Sequence, residues 1–359
     1  MHSEERLNAF VDFGKALKIL SGDSSPAAKK EHLISERFKK KFDEAIVRAE
    51  LENPWFTQDF IMKRMAGIAD MLTPDKLHAW LASYPVFHSG NAKDPKRIGV
   101  INAGNVPLVG FHDFLSVLIS GHIFVGKLSS KDTVLFELVR DLLIYLHKPF
   151  HDYIIFEEGF LKDFDAVIAT GSNNSSRYFE YYFGQYPHII RRNRNAIAVL
   201  DGSETEAQLT ALGNDIFLFF GLGCRNVSKL YVPEGYSFQT FFESVQHFQE
   251  LYYHNKYANN YDYHRAIFLL NKTPHLDNGF LLVREDDSLA SPIAVLHYNH
   301  YKSKDGLKKD IEIKNNEIQC MVSGNQNLPG SIPFGKSQEP ELWDYADDID
   351  TLKFLESLS

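Results

Sequence analysis

Apolar residues recur every three or four positions among charges over Phe10–Leu20 and Leu33–Leu51, which predicts two amphipathic helices. Ser21 to Ala28 is a Ser/Gly/Pro/Ala break between them. Pro54–Leu72 repeats the helical pattern. Thr73, Pro74 and Asp75 then supply a cap, a first-turn proline and a first-turn carboxylate for a helix Pro74–Tyr84. From Lys96 the pattern changes to short apolar runs, at Arg97–Asn102, His122–Leu128, Tyr153–Phe156, Ala166–Ala169 and Ala196–Leu200. Between them lie helical stretches at Leu108–Ile119, Thr133–Leu146 and Ser175–Phe183. Strands alternating with helices predict a parallel α/β sheet, whose ligands bind beyond the carboxyl ends of the strands. A second such series opens with a helix at Glu204–Phe220. It continues through strands Lys229–Val232, Phe280–Val283, Ala294–His297 and Ile318–Val322, with a helix at Phe238–Tyr253. The tail from Leu328 is rich in Pro, Gly and acidic residues and ends in a short helix, Ile349–Leu358. There is no internal repeat.

Composition narrows the classes. The chain has 359 residues, a length for two domains or one large domain with an appendage, and is 44% hydrophobic and 24% charged, as in soluble globular proteins. A net charge of −9 provides no general basic field for nucleic acid. No run has the length of a membrane span, and the charged start Met1-His2-Ser3-Glu4-Glu5-Arg6 lacks a signal-peptide core. Two cysteines, Cys224 and Cys320, make no disulfide framework and suit a reducing, cytoplasmic setting. The 15 histidines show no metal-ligand spacing, so no metal is expected.

The polar residues at predicted strand ends are the candidates for chemistry. Asn105 either caps the following helix or donates to an oxyanion. Lys127 closes an apolar strand and either faces solvent or reaches a cofactor ribose or phosphate. Thr170-Gly171-Ser172 joins a strand to a helix, where backbone N–H groups favour a phosphate. Cys224, between Gly223 and Arg225 after the apolar run Ile216–Phe220, is either a small buried hydrophobe or an accessible nucleophile. No complete G-x-G-x-x-G occurs. The cluster Arg191-Arg192-Asn193-Arg194 reads as a solvated turn, with CoA phosphates as the alternative. Tyr252, Tyr253, Tyr257, Tyr261 and Tyr263 read as aromatic packing, with an acyl channel as the alternative.

In order, these elements resemble the aldehyde dehydrogenase superfamily. Asn105-Val106-Pro107-Leu108 is similar to its Asn-Phe-Pro-Leu turn, and Lys127 follows at the spacing of its cofactor-ribose lysine. Thr170-Gly171-Ser172 resembles its pyrophosphate loop, Gly223-Cys224 its catalytic cysteine, and Pro333-Phe334-Gly335-Lys336-Ser337 its C-terminal Pro-Phe-Gly segment. Gly104 to His112, Phe164 to Arg177 and Phe219 to Lys229 look most like the fatty acyl-CoA reductases of bacterial luminescence. The resemblance implies an aldehyde dehydrogenase-like fold, with two Rossmann-like parallel-sheet α/β domains and a helical N-terminal region. Residues 1–90 would be that region and 91–204 the NADP-binding domain, rejoined by 328–359. Residues 205–327 would be the catalytic domain.

Two departures refine the expectation. The hydrolytic members carry a water-activating glutamate in a Glu-Leu-Gly-Gly strand. The corresponding segment here is Val199-Leu200-Asp201-Gly202, with no carboxylate at the glutamate's place. The resemblance therefore implies reduction of a (long-chain) acyl-CoA to aldehyde through a thioester on Cys224, the oxyanion held by Asn105. A reductase of acyl phosphate or acyl-carrier thioester, or an inactive member that binds an acyl donor, is the alternative. In NAD-selective members a glutamate follows the lysine by three residues. Ser129-Ser130-Lys131 stands here instead, which favours NADPH. The general acid for the departing alkoxide stays open among His112, His188 and His254. Ionisation of Cys224 is expected from a helix N-terminus or from Arg225. By analogy the chain self-associates, and an acyl-activating or acyl-transferring enzyme is an expected partner.

Overall fold

The computed structural model describes residues 1–22, 33–88, 94–324 and 328–358. The predicted break at Ser21 to Ala28 lies outside them beyond Gly22. The chain divides into two compact units, Met1–Arg192 with Glu341–Ser359, and Asn193–Pro340.

The first unit holds a parallel sheet of five strands: β1 (Arg97–Ile101), β2 (Ile123–Lys127), β3 (Ile154–Phe156), β4 (Ala166–Thr170) and β5 (His188–Arg191). Their order is β3-β2-β1-β4-β5, so the winding reverses between β1 and β4. Helices α1 (Ser3–Leu20), α2 (Glu36–Glu52), α3 (Gln58–Met71) and α4 (Pro74–Leu81) precede the sheet. They are followed by α5 (Phe111–Ile119), α6 (Thr133–Leu146) and α7 (Asn173–Phe183). One apolar core joins the N-terminal helices to this sheet. Phe13 of α1 stacks on Phe111 at 5.9 Å, and Phe10 meets Phe150 edge-on at 5.7 Å. Arg6, buried in α1, donates from Nε to the Ile119 carbonyl at 2.8 Å and so satisfies the carboxyl end of α5.

Two expectations change here. The helix predicted from Leu108 begins at Phe111, because Leu108 has φ 50°, a left-handed conformation that no helix continues through. Arg191 is not on a solvated turn. It ends β5, is 3% exposed, and grips both oxygens of Asp113 on α5 at 2.8 and 2.6 Å. Its other terminal nitrogen donates to Thr351 Oγ1 at 2.7 Å. This pair ties α5, β5 and the C-terminal helix α12 (Thr351–Glu356) together.

The second unit holds β6 (Asn195–Val199), β7 (Val227–Pro233), β8 (Leu276–Asp277), β9 (Leu282–Glu285), β10 (Val295–Tyr301), β11 (Ile318–Ser323) and β12 (Ser331–Ile332). Their order is β12-β11-β6-β7-β10-β9-β8, parallel except for β8 against β9. Helices α8 (Glu206–Phe217), α9 (Gln239–Val245), α10 (Asn255–Leu270) and α11 (Lys304–Ile313) belong to it. The domain boundary expected at residue 205 lies at 193, because β6 pairs with β7 and β11 and so belongs to the second sheet. The tail rejoins the first unit from Glu341 rather than from 328, because β12 extends the second sheet. Among the described residues no helix is long and apolar enough to cross a membrane. No group of three or more His, Cys, Asp or Glu among them could hold a metal ion.

Removing one partner of the Asp113–Arg191 pair leaves a buried charge uncompensated. Asp113→Ala is expected to cost about 3–5 kcal/mol in chemical denaturation, and Asp113→Leu with Arg191→Met together clearly less. A double variant that loses as much as Asp113→Ala or more would contradict an uncompensated buried charge as the cause of the loss.

Candidate active site

In the first unit the candidates collect at the carboxyl edge of the sheet, at the reversal between β1 and β4. The Asn102 N–H donates to the Lys127 carbonyl at 3.2 Å and lengthens the β1–β2 ladder by one bond. The turn that follows exposes Asn105 and is fixed from behind by Asp132. Asp132 Oδ2 accepts the Leu108 N–H at 2.7 Å, which holds the left-handed Leu108. Asp132 is 2% exposed, and its other oxygen has no hydrogen-bond partner among the described residues. Burial pushes its pKa well above the usual carboxylate value, opposed by the Leu108 N–H and the charge of Arg64.

The loops after β1 and β2 meet at Gly104, where an added Cβ would collide with the Ser129 side chain. Ser129 Oγ accepts the Lys131 N–H at 3.3 Å, and Ser130 and Lys131 are exposed. Lys127, half-buried at the end of β2, donates one of its three ammonium hydrogens to the Glu158 carbonyl at 2.6 Å. Thr170 ends β4. Gly171 lies so close to α7 that an added Cβ would stand 2.8 Å from Phe179 and 2.9 Å from Ser175. Ser172 caps α7, its hydroxyl accepting the Ser175 N–H at 3.2 Å. The first-turn N–H groups of α7 thus face the edge that holds Asn105 and Lys127.

Cys224 lies in the second unit, between α8 and β7. After α8 the backbone turns through Phe219 (φ 54°), Phe220 (φ 56°) and Gly221 (φ 73°), three consecutive left-handed residues. Each phenylalanine costs about 1–2 kcal/mol in that conformation, offset by burial of both rings. A turn follows, closed by the Asn226 N–H donating to the Gly223 carbonyl at 3.0 Å, with Cys224 and Arg225 at its centre. The buried Asn226 side chain locks it. Its Oδ1 accepts the Gly223 N–H at 2.8 Å, and its Nδ2 donates to the carbonyls of Leu218 (2.8 Å) and Asp215 (3.1 Å) at the end of α8. Cys224 itself is half-buried.

The Pro333-to-Ser337 segment is drawn to the same place. Asp215, fully buried on α8, accepts the N–H groups of Gly335 at 2.6 Å and Ser337 at 2.9 Å. The Ser337 carbonyl accepts Arg225 Nε at 2.6 Å. One of the two expected causes of thiol ionisation, a helix N-terminus, is corrected here. No helix begins at Cys224; α8 turns its carboxyl end toward the turn, and that end favours cations. Arg225 Nε is anchored on the Ser337 carbonyl.

Val199, which the resemblance sets at the place of the hydrolytic glutamate, is 3% exposed and packed among Ile197 and Tyr231. The neighbouring carboxylates bind their own turn: Asp201 Oδ1 accepts the Ser203 N–H at 3.0 Å, and Glu204 accepts those of Asp201 and Gly202 at 2.6 and 3.1 Å. Of the three histidines, His112 is bonded to the Leu342 carbonyl at 2.8 Å, and desolvation lowers its pKa. His188 is exposed on β5. His254 shares the unit of Cys224 and packs on Phe220, with centroids 4.4 Å apart. Tyr257 and Tyr261 are buried, whereas Tyr253 and Tyr263 are on the surface.

Four buried polar residues here escape a sequence reading: Asn102, Asp132, Asp215 and Asn226. A fifth, Lys229 on β7, bonds the Asp286 carbonyl and Asn299, and burial lowers its pKa to about 8.

No protein-family model matches the chain, and no curated protein matches it either. Solved structures do. An NAD-dependent aldehyde dehydrogenase from Sinorhizobium meliloti matches at TM-score 0.62 and 13% identity, over 92% of this chain and 72% of that one. A Mycobacterium tuberculosis aldehyde dehydrogenase complexed with NAD+ matches at 0.59 and 13%, over 94% and 76%. An E. coli NADP-dependent enzyme matches at 0.57 and 15%, over 91% and 79%. The fold is aldehyde dehydrogenase-like. Within that fold, Asn105, Lys127, Ser129 and the Thr170-to-Ser172 loop fall at the carboxyl edge of one sheet, and Cys224 falls at the turn entering the other.

The raised pKa of Asp132 means that the folded chain holds this proton more tightly than the unfolded chain. Its contribution to stability is full below the unfolded carboxyl value and is lost as pH rises through the folded one. Asp132→Asn keeps an acceptor for Leu108 and removes the charge. The variant is expected to unfold at a higher temperature than the parent at pH 7, with the gap closing on acidification. A gap independent of pH would contradict the buried-carboxyl assignment.

Proposed function

We propose that the protein is an NAD(P)-dependent oxidoreductase that reduces acyl-CoA, long-chain by resemblance, to aldehyde through a thioester on Cys224. One observation carries the choice of reduction over hydrolytic oxidation. Val199, where a water-activating carboxylate would be needed, is an apolar residue packed in a core. The neighbouring Asp201 and Glu204 are engaged with backbone N–H groups.

The first unit fits a dinucleotide. Gly104 and Gly171 let backbone approach where a side chain would collide, and the N-terminus of α7 favours a pyrophosphate. Lys127 would hold a ribose or phosphate, and Thr170, Gly171 and Ser172 the pyrophosphate. Ser129, Ser130 and Lys131 offer hydroxyls and a cation rather than a carboxylate, which supports NADPH as the cofactor. Bound there, the cofactor supplies a hydride to the acyl carbon.

The chain's own residues do the rest. Cys224 Sγ, as thiolate, bonds to the thioester carbon, the C–S bond to CoA breaks, and CoA leaves as thiolate. Asn105 donates to the oxyanion that forms on the acyl oxygen. After hydride arrives, the bond to Sγ breaks, aldehyde departs and the Cys224 thiolate is restored. Each turnover consumes one acyl-CoA, one NADPH and one proton, which the departing CoA thiolate takes up. Self-association and an acyl-activating or acyl-transferring partner enzyme belong to the same proposal, as does a reducing compartment that keeps Cys224 a thiol.

NADPH consumption is to be followed with acyl-CoA of graded chain length, with acyl phosphate and with acyl-carrier thioester. The expectation is turnover with acyl-CoA, none with Cys224→Ala, and a kcat about 100- to 1,000-fold lower with Asn105→Ala. Turnover of acyl phosphate or carrier thioester alone would transfer the assignment to those donors. Binding without turnover would make the chain an acyl-donor-binding protein.

A further inference from the structure

Asp132 stands where a helix cap belongs and does not cap. It is the residue before α6, the place where an aspartate ordinarily accepts a free N–H of its own helix. Its side chain makes no such bond to α6. Oδ2 reaches instead to the N–H of Leu108, 24 residues earlier in the chain, at 2.7 Å. The carboxyl is buried, which disfavours its charged form. A helix cap is forgone and a carboxyl is withdrawn from water, and what the fold gains is one bond to the Asn105 turn.

That bond falls where the turn is strained. Leu108 is left-handed and fully buried, a conformation that leucine keeps only when its surroundings hold it there. The same loop holds the other end of the turn. Gly104, just before Asn105, packs so closely on Ser129 that a side chain there would collide, and the Asp132 N–H donates to the Ser129 carbonyl at 3.0 Å. Asn105 is therefore bracketed by Ser129 and Asp132. The loop is anchored in turn by the N-terminal helices. Asn53, buried at the end of α2, donates from Nδ2 to the Lys131 carbonyl at 3.2 Å. Asn105 is exposed, so its amide goes where this backbone carries it.

We propose that Asp132 is a positioning residue for the reaction: by holding Leu108 left-handed, it sets the Asn105 amide for the acyl oxygen. Asn105 as oxyanion donor in the proposed acyl-CoA reduction is the reading on which this rests. A misplacement of about 1 Å can cost roughly 100-fold in rate. A loss of that kind falls on kcat and not on cofactor binding, because the donor acts on charge that develops in the transition state.

The test uses the full-length chain. Asp132→Leu keeps a branched side chain and removes the acceptor, whereas Asp132→Asn keeps an acceptor. Each is made alone and with Asn105→Ala, and Asp132→Ala replaces Asp132→Leu if leucine prevents folding. The kcat is measured with NADPH and acyl-CoA, and the Kd for NADPH by calorimetry. Asp132→Leu is expected to lower kcat about 10- to 100-fold at an unchanged Kd, and Asp132→Asn to recover most of that loss. On the Asn105→Ala background, where the amide is gone, Asp132→Leu should lower kcat no further. Parental kcat in Asp132→Leu beside an impaired Asn105→Ala would overturn the inference and leave the proposed function standing. So would an Asp132→Asn variant as impaired as Asp132→Leu, or a loss repeated in full on the Asn105→Ala background, the mark of a general structural role. Asn105→Ala at parental kcat, or a parent chain that reduces no acyl donor, would overturn both.

Discussion

Asn226 engages the end of α8 and the thiol turn with one buried side chain. Its Nδ2 reaches carbonyls that the helix leaves unpaired, and its Oδ1 takes the N–H of Gly223. Without it, the carboxyl end of α8 would bury unmet acceptors, and the left-handed run of Phe219, Phe220 and Gly221 would lose its exit. Cys224 owes its position at the head of β7 to that clamp. Asp215, on the same helix, fixes Gly335 and Ser337, and Ser337 in turn holds Arg225. The cysteine turn and the Pro-Phe-Gly segment, more than a hundred residues apart in the chain, are thus parts of one hydrogen-bonded assembly.

The first unit uses the same device with different residues. Asp132 stands behind the Asn105 turn as Asn226 stands behind the Cys224 turn, and each pins a backbone that leaves helical geometry. In both places a buried polar group supports a turn at a sheet margin, so the candidate side chain it carries need not be buried itself. Asn105 is exposed and Cys224 half-buried, while their supports are buried. That division of labour suits a site that must admit a ligand and still hold its groups in register.

Much of this was legible in the residues, for definite reasons. The helix at Thr133–Leu146 and the strands around Ile98, Phe124 and Ile168 carry uninterrupted apolar patterns, so their periods were plain. β5 was not legible, because His188 and Arg191 make its ends polar and its core is two residues long. Helix Asn255–Leu270 lacks a clear apolar stripe, since its tyrosines, asparagines and charges go all round. The sequence pattern starts α5 too early because nothing in a leucine announces a positive φ. The named candidates Asn105, Lys127, Ser129, Ser130, Thr170, Gly171, Ser172 and Cys224 could be picked out because they are polar, glycine or thiol groups at strand ends. Their supports could not, because Asn102, Asp132, Asp215 and Asn226 read as surface residues until the fold buries them. The expected helix N-terminus at Cys224 is absent for a related reason: which end of α8 faces Cys224 is a matter of chain direction at a junction, not of composition.

The account turns on Cys224 forming a covalent bond to an acyl group, before any reduction. Intact-mass measurement of the full-length chain, incubated with acyl-CoA and no reductant, tests this most directly. The account predicts a mass increase of one acyl group, located on the peptide carrying Cys224, absent from Cys224→Ala, and lost on adding NADPH. An acyl group on Cys320, an equal adduct on Cys224→Ala, or no adduct from any acyl donor would contradict it.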